Sequence, residues 1–102
     1  GGRIIIGDQC IIGPNVVFRT SNHIFSRRDV PILDQGHIAG TIVVKNNVWI
    51  GANVSVIGTV TIGEGAVIGA GSVVTRDIDE FSIVGGVPAR KLNPGKNKFD
   101  VG

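Results

Sequence analysis

Large aliphatic residues recur every six positions along most of this chain. The residue two places before each of them is small or apolar. The six large residues from position 44 onward are Val44, Ile50, Val56, Ile62, Ile68 and Val74, and their smaller companions are Ile42, Val48, Val54, Val60, Ala66 and Ser72. A period of six fits neither a helix of about 3.6 residues per turn nor one long strand. It predicts short strands joined by tight turns, with both apolar positions of each hexad pointing inward.

The same pattern opens the chain, where three hexads end at Ile6, Ile12 and Phe18. Residues 48–52 and 66–70 resemble each other at a distance of three hexads, so three strands make one triangular coil. Neighbouring coils would stack at a strand spacing of about 4.8 Å. The pattern therefore predicts an all-β parallel helix of about three 18-residue coils.

Three further expectations follow from the hexads. The glycine after each large aliphatic residue, as at Gly51 and Gly69, is expected to adopt a backbone conformation closed to other residues. Cys10 falls on an inward position and is expected to be a buried, small apolar residue. Trp49 falls between two inward positions, so its side chain is expected to point outward, where an exposed Trp is typical of a subunit contact or ligand wall.

The period breaks twice. The interval from Phe18 to Val44 is four hexads plus two positions, so the phase is lost and residues 24–40 are predicted to form an excursion. His23 stands at the foot of this excursion, where a rigid scaffold would hold it. The second break follows residue 77, and residues 85–91 predict a Gly- and Pro-rich loop that leads into a basic C-terminal tail.

Composition supports strands and excludes several classes of protein. The chain has 15 Ile, 15 Val and 16 Gly against 2 Leu, which argues against a helical bundle. With 42% hydrophobic and 18% charged residues it is not disordered, and a net charge of +2 does not indicate a nucleic-acid partner. We expect one domain over residues 1–102. Because the sequence contains no Met, we expect it to be the C-terminal part of a longer chain.

The cysteine count and the apolar stretches limit the compartment. A single cysteine excludes an internal disulfide framework and favours the reducing cytoplasm. No apolar stretch approaches the ~20 residues of a membrane span. His37 lies in the middle of the excursion, where the sequence shows no partner for it, and we expect it to face solvent or to be structural.

Several motifs together resemble the hexapeptide-repeat acyltransferases. Asn22-His23 precedes an excursion that contains Gln35-Gly36, the helix resumes at residues 48–51 (VWIG), and residues 67–77 are followed by Gly-Val-Pro-Ala-Arg at 86–90. The set looks like the branch of galactoside, maltose and surface-polysaccharide O-acetyltransferases. The resemblance implies a left-handed parallel β-helix, acetyl-CoA as co-substrate, and a homotrimer with active sites between neighbouring subunits.

The resemblance also implies roles for seven residues. His23 corresponds to the catalytic histidine of the branch. The positions expected to meet coenzyme A are Ala52 and Ala70 at the pantetheine arm, Thr75 and Arg76 at the end of a coil, and Arg90 with its neighbour Lys91 at the nucleotide phosphates. No metal is expected.

A neutral imidazole accepts a proton near neutral pH, which suits a general base. We expect His23 to deprotonate an acceptor hydroxyl of a sugar or polysaccharide as that hydroxyl attacks the thioester of acetyl-CoA. Backbone N–H groups near Ala52 are candidate donors to the oxyanion.

Three alternatives stay open at this point. In the first, the acceptor is an amine, as in N-acetyltransferases of amino sugars or antibiotic-type acceptors. In the second, the chain is a solenoid without catalysis, and the third is a metal site. A zinc site like that of the γ-carbonic anhydrases needs three histidine ligands, whereas this chain has only His23 and His37.

Overall fold

A computed structural model describes residues 2–92, and the predicted tail beyond Leu92 lies outside this range. The described part forms thirteen short strands and one 3₁₀ helix (Ile32–Asp34), and it contains no helix long and apolar enough to cross a membrane. In chain order the strands are β1 (Arg3–Ile6), β2 (Ile11–Ile12), β3 (Val17–Arg19), β4 (Ser21–His23), β5 (His37–Ala39), β6 (Thr41–Val44), β7 (Trp49–Ile50), β8 (Ser55–Ile57), β9 (Val60–Ile62), β10 (Val67–Ile68), β11 (Val73–Val74), β12 (Ile83–Gly85) and β13 (Arg90–Lys91).

Most of these strands stack into three parallel sheets. The first sheet has the order β1-β6-β9 and the third has the order β11-β8-β3, while the second contains β12, β10, β7 and β2 in parallel. Strand partners in the regular coils are separated by three hexads, as in Trp49 with Val67 and Ser55 with Val73. The predicted all-β class is confirmed, and the architecture is a parallel β-helix.

Both apolar positions of the hexads from 42 to 74 point into the helix and are buried. The buried residues are Ile42, Val44, Val48, Ile50, Val54, Val56, Val60, Ile62, Ala66, Ile68, Ser72, Val74, Ile78 and Val84. Ser72 is the polar member, and its hydroxyl donates to the Gly69 carbonyl at 2.6 Å and accepts from the Gly86 N–H at 3.1 Å. These two bonds offset the cost of placing a hydroxyl in the core.

The first coil is less covered than the others. Its inward residues Ile4 and Ile6 are exposed, because within residues 2–92 no coil lies over this end of the helix. The prediction that Cys10 is buried was wrong for the same reason: its side chain is half-buried and packs against the core from the end. Its Sγ lies 3.2 Å from the Lys45 carbonyl oxygen.

The glycines that follow the large aliphatic residues serve close approach between coils. A Cβ on Gly51 would lie 2.7 Å from the backbone nitrogen of Ala70 in the next coil, which is closer than real Cβ contacts come. The predicted left-handed backbone does not occur at Gly51 or Gly69. It falls two residues later, at Asn53 (φ 59°) and Gly71 (φ 76°). Asparagine tolerates this conformation better than most residues, which is why the turn is not marked by glycine alone.

The excursion is an arm built on an antiparallel pair of strands. An interval of three hexads would pair Ile11 with position 29, but its partner is Trp49, so the first coil carries an insertion. The arm begins with β4 at Ser21, slightly before the predicted start at position 24, and returns through β5.

The C-terminal end of the helix closes with a hairpin rather than a loop. Residues 85–91 were predicted as a loop, but Arg90 and Lys91 form β13, which pairs antiparallel with β12. The tight reversal contains a cis peptide bond before Pro88. The Leu92 side chain covers Gly85 and brings apolar contact to this end.

Replacing Ile50 with Ala should lower the free energy of unfolding by about 2–5 kcal/mol, because Ile50 is fully buried between stacked coils. Urea denaturation measures this change. The control is Ile38→Ala on the arm, where the side chain is 66% exposed and the loss should stay under about 1 kcal/mol. Equal losses at the two positions would contradict the assignment of the interior.

Candidate active site

The arm places two histidines directly opposite each other. His23 on β4 is the cross-strand partner of His37 on β5. The Ile24 N–H donates to the Gly36 carbonyl at 2.9 Å, so Ile24 and Gly36 are a hydrogen-bonded pair. Hydrogen-bonded and non-hydrogen-bonded pairs alternate along an antiparallel ladder, so His23 and His37 are a non-hydrogen-bonded pair. Antiparallel backbones come closest at such a pair, with Cα atoms about 4.5 Å apart. Their ring centroids are 6.1 Å apart and the ring planes meet at 71°. The His37 side chain is exposed, as expected, and its contact with His23 is one that the sequence pattern did not reveal.

The side chain of Gln35 holds the arm closed. Its Nε2 donates to the carbonyls of Arg27 at 2.8 Å and Val30 at 2.7 Å, and its Oε1 accepts from the Arg27 N–H at 3.2 Å. Gly36 follows with φ of 85°, a conformation that favours glycine, and its carbonyl accepts from Ile24. Gln35-Gly36 thus turns the chain so that His37 arrives opposite His23.

The charged residues near the tip of the arm pair with each other. Arg27 donates to Asp29 through Nε at 3.1 Å and through Nη2 at 2.6 Å. The Arg27 guanidinium lowers the pKa of the Asp29 carboxyl below its usual range. Because both side chains are exposed, this pair contributes little to stability. Arg27 is better explained by the local structure of the arm than by ligand binding.

Ala52 and Ala70 lie together in an apolar groove of about 310 Å³ on the second sheet. Trp49 and Val67 line its wall, and Trp49 points outward with 51% of its surface exposed, as predicted. Among the described residues neither the Ala52 N–H nor the Ala70 N–H donates to a backbone carbonyl. The groove therefore has an apolar lining, to which Ala52 and Ala70 contribute one coil above the other.

The four remaining cofactor positions line one cavity at the C-terminal end of the helix. Thr75, Arg76, Arg90 and Lys91 surround about 380 Å³ of space. Lys91 forms an ion pair with Asp79, with Nζ and Oδ2 2.6 Å apart. Arg76 and Arg90 carry no such carboxylate partner within residues 2–92. Asp77 and Asp79 line the same cavity, so three cations stand against two carboxylates. The excess of positive charge and the two arginines without a carboxylate partner make this basic cavity suitable for phosphate groups.

The structure thus groups the seven predicted site residues into three places. His23 is on the arm and lines neither the apolar groove nor the basic cavity. Three contacts were not predicted from the sequence: that of His23 with His37, the clamp by Gln35 and the ion pair of Lys91 with Asp79. The hexad period carries no signal for these contacts, since all of them involve residues outside the repeat.

The described residues contain no cluster of three or more His, Cys, Asp or Glu side chains arranged to hold a metal ion. The three-histidine zinc alternative has no ligand set in this part of the chain. The candidate site in the described residues consists of an apolar groove, a basic cavity and a histidine pair.

Comparison with known proteins defines the class. The family model of the bacterial transferase hexapeptide (six repeats) matches residues 41–76, the uninterrupted part of the helix. The galactoside O-acetyltransferase of Escherichia coli K12 is 40% identical over 90 residues, covering 87% of this chain and 43% of the relative.

Two solved structures are similar over the described fold. A hexapeptide-repeat acetyltransferase from Vibrio cholerae, in complex with acetyl coenzyme A, has a TM-score of 0.82 and 40% identity, covering 92% of this chain and 50% of that one. A mutant of AntD, an N-acyltransferase from Bacillus cereus, in complex with dTDP-4-amino-4,6-dideoxyglucose and coenzyme A, has a TM-score of 0.77 and 30% identity, covering 94% and 54%.

The protein is a hexapeptide-repeat β-helix. Its uninterrupted repeats, residues 41–76, belong to the bacterial transferase hexapeptide family, and the chain is similar to galactoside O-acetyltransferases. This likeness implies that the helix is left-handed. The chain spans about half the length of the curated relatives that it matches.

Replacing Gln35 with Ala should loosen the arm without unfolding the helix. Three hydrogen bonds of about 0.5–1.5 kcal/mol each are lost, so amide exchange at Ile24 should accelerate about tenfold or more. Hydrogen exchange measures this, with the core amide of Val56 as internal reference. Asp34→Ala, a change at the last residue of the 3₁₀ helix and next to Gln35, should leave exchange at Ile24 unchanged. Equal acceleration in both variants would contradict the clamp.

Proposed function

We propose that this protein is an acetyl-CoA-dependent acetyltransferase that moves an acetyl group to a hydroxyl of a sugar or polysaccharide. The observation that carries the proposal is the grouping of the six expected cofactor positions into one apolar groove and one basic cavity. The likeness to a Vibrio cholerae acetyltransferase in complex with acetyl coenzyme A supports the cofactor. The likeness to a galactoside O-acetyltransferase supports a saccharide hydroxyl.

Each part of coenzyme A has a matching surface in this proposal. The pantetheine arm is long, narrow and mostly apolar, which suits a groove lined by Trp49, Val67, Ala52 and Ala70. The phosphates need cations, which the cavity of Arg76 and Arg90 offers. Thr75 and Lys91 complete the rim of that cavity.

The chemistry follows from one base and one thioester. The imidazole of His23 takes the proton of the acceptor hydroxyl as its oxygen forms a bond to the thioester carbonyl carbon. The negative charge on the carbonyl oxygen is stabilised by backbone N–H groups near Ala52, which stacking holds in place. When the intermediate collapses, the carbon–sulfur bond breaks and the thiolate of coenzyme A recovers the proton from the imidazolium. No covalent intermediate with the enzyme forms.

We also propose that the site lies between subunits of a homotrimer. His23 lines neither cofactor cavity of its own chain, so a neighbouring copy has to bring a groove to it. The outer face of the second sheet carries a row of apolar residues in register, Ile11, Trp49, Val67 and Ile83, which passes beside the groove. Burying this row against a second copy would remove apolar surface from water.

An amine acceptor is the second candidate. AntD, an N-acyltransferase, was crystallised as a mutant with an amino sugar nucleotide and has the same fold over 94% of this chain. The step at His23 is the same for an amine nucleophile, so acceptor trials must separate the two. A solenoid without catalysis is the third candidate, and it would bind no coenzyme A. The cytoplasmic location expected from the single cysteine stays a prediction.

Replacing His23 with Ala should lower acetyl transfer by about 10²–10⁴-fold, because the hydroxyl loses its base. Thiol release from acetyl-CoA, measured across a panel of sugars, oligosaccharides and amines, reports turnover and identifies the acceptor class. The neighbouring change Arg28→Ala on the arm should keep full turnover.

Titration with coenzyme A controls for binding and for the fold. His23→Ala should bind coenzyme A as tightly as the unchanged protein, because His23 lies outside the cofactor cavities. Full turnover in His23→Ala would refute the mechanism, and absence of coenzyme A binding by the unchanged protein would favour the solenoid without catalysis.

A further inference from the structure

A histidine base works well only when its ring is held with one nitrogen facing the substrate. Within one chain both strands of the arm are exposed along His23 and His37, so burial in that chain does not fix the His23 ring. The ring contact of His23 within residues 2–92 is with His37. His37 is thus the group in the described structure that is placed to limit the orientation of His23.

The geometry of the pair suits this task. Aromatic rings attract each other edge to face at centroid separations of about 4.5–7 Å, and the two imidazoles are 6.1 Å apart with planes at 71°. In this arrangement the edge of one ring meets the face of the other, which restricts rotation of both about their outer torsion. A parallel stack or a distant pair would not restrict it in this way.

The backbone of the arm keeps His37 in position. The pair lies where antiparallel strands come closest, and the Ile24 N–H to Gly36 carbonyl bond closes the ladder beside it. Gln35 then clamps the returning chain through the carbonyls of Arg27 and Val30. These contacts set the His37 backbone against β4 rather than leaving it in a free loop.

We propose that His37 is a positioning residue: its edge-to-face contact fixes the plane of the His23 ring so that one nitrogen faces the acceptor. The proposal rests on the proposed function, in which His23 is the base. His37 itself contributes shape and not proton transfer. A phenyl ring, which has the same edge and face but no nitrogen, should therefore replace it.

Three variants test the inference by steady-state kinetics. His37→Ala should lower kcat about two- to tenfold with the KM for acetyl-CoA unchanged, since a contact of this kind contributes roughly 0.5–1.5 kcal/mol. His37→Phe should restore kcat to within about twofold of the unchanged protein. Ile38→Thr is the control, because side chains alternate along β5 and Ile38 points to the other face; it should leave kcat unchanged.

Nuclear magnetic resonance of the histidine rings gives a readout that does not need turnover. The carbon-bound ring protons of His23 should shift in His37→Ala, because they lose a neighbouring ring, and should remain displaced in His37→Phe. An unchanged kcat in His37→Ala would overturn the inference, and unchanged His23 ring signals in that variant would overturn it as well. So would a His37→Phe variant as impaired as His37→Ala, since a nitrogen would then be required.

The failure of this inference and the failure of the proposed function are distinguishable. Full turnover in His23→Ala refutes the proposed base, and the ring signals of His23 then still decide whether His37 holds the ring. An inactive His23→Ala beside a fully active His37→Ala refutes the positioning role alone.

Discussion

Backbone hydrogen bonding between successive coils is the constraint on which the rest of this molecule depends. Parallel strands stay in register only when each coil brings its strands back beside those of the coil before, and in the repeats from residue 42 to residue 74 this takes three hexads. The arm lengthens the first coil, and the step from Val67 to Ile83 is two residues shorter than three hexads. Trp49 pairs with Val67, which in turn pairs with Ile83. The inner positions must then be filled layer by layer with residues of similar size, and Ile and Val meet this need. The close approach of Gly51 to the backbone of Ala70 follows from the same spacing.

This constraint explains which parts of the fold were predictable. The buried residues between Ile42 and Val74 recur at two positions in every hexad, because each of them fills a layer of the core. Their burial could therefore be predicted from the sequence. The turn conformations could not, because Asn53 and Gly71 perform the same left-handed turn with different residues. Cys10 has the inward position of a core residue, and only the number of coils above it decides that it is half-buried. The strand at Arg90 and Lys91 has no apolar alternation and pairs through its backbone alone.

The candidate site likewise has one part that the repeat predicts and one part that it does not. Ala52 and Ala70 occupy equivalent corners of successive coils, so their meeting in one groove is a consequence of stacking. The His23–His37 contact depends on the length of the arm, on the positive φ of Gly36 and on the clamp by Gln35. None of these features repeats, and each acts through local geometry. The resemblance of Asn22-His23 to a catalytic motif indicated the first histidine but carried no information about the second.

The site therefore combines a rigid face with an arm that interrupts it. Stacked coils hold the groove and the basic cavity in fixed relation along the helix axis, and the arm carries His23, the proposed base, outside both cavities. If a neighbouring copy brings its groove to this arm, stacking in one subunit and the hairpin in the next build one active site. The apolar row through Trp49 would then be covered by the same association that completes the site.

The most direct test of this account is mixing of two inactive variants. His23→Ala removes the base, and Ala70→Leu fills the groove of the other chain. The two chains are refolded together and assayed for thiol release from acetyl-CoA, with each variant refolded alone as control. The account predicts that the mixture recovers part of the original turnover, because some interfaces join an intact groove to an intact His23. A mixture that shows no more turnover than the variants refolded alone would contradict it.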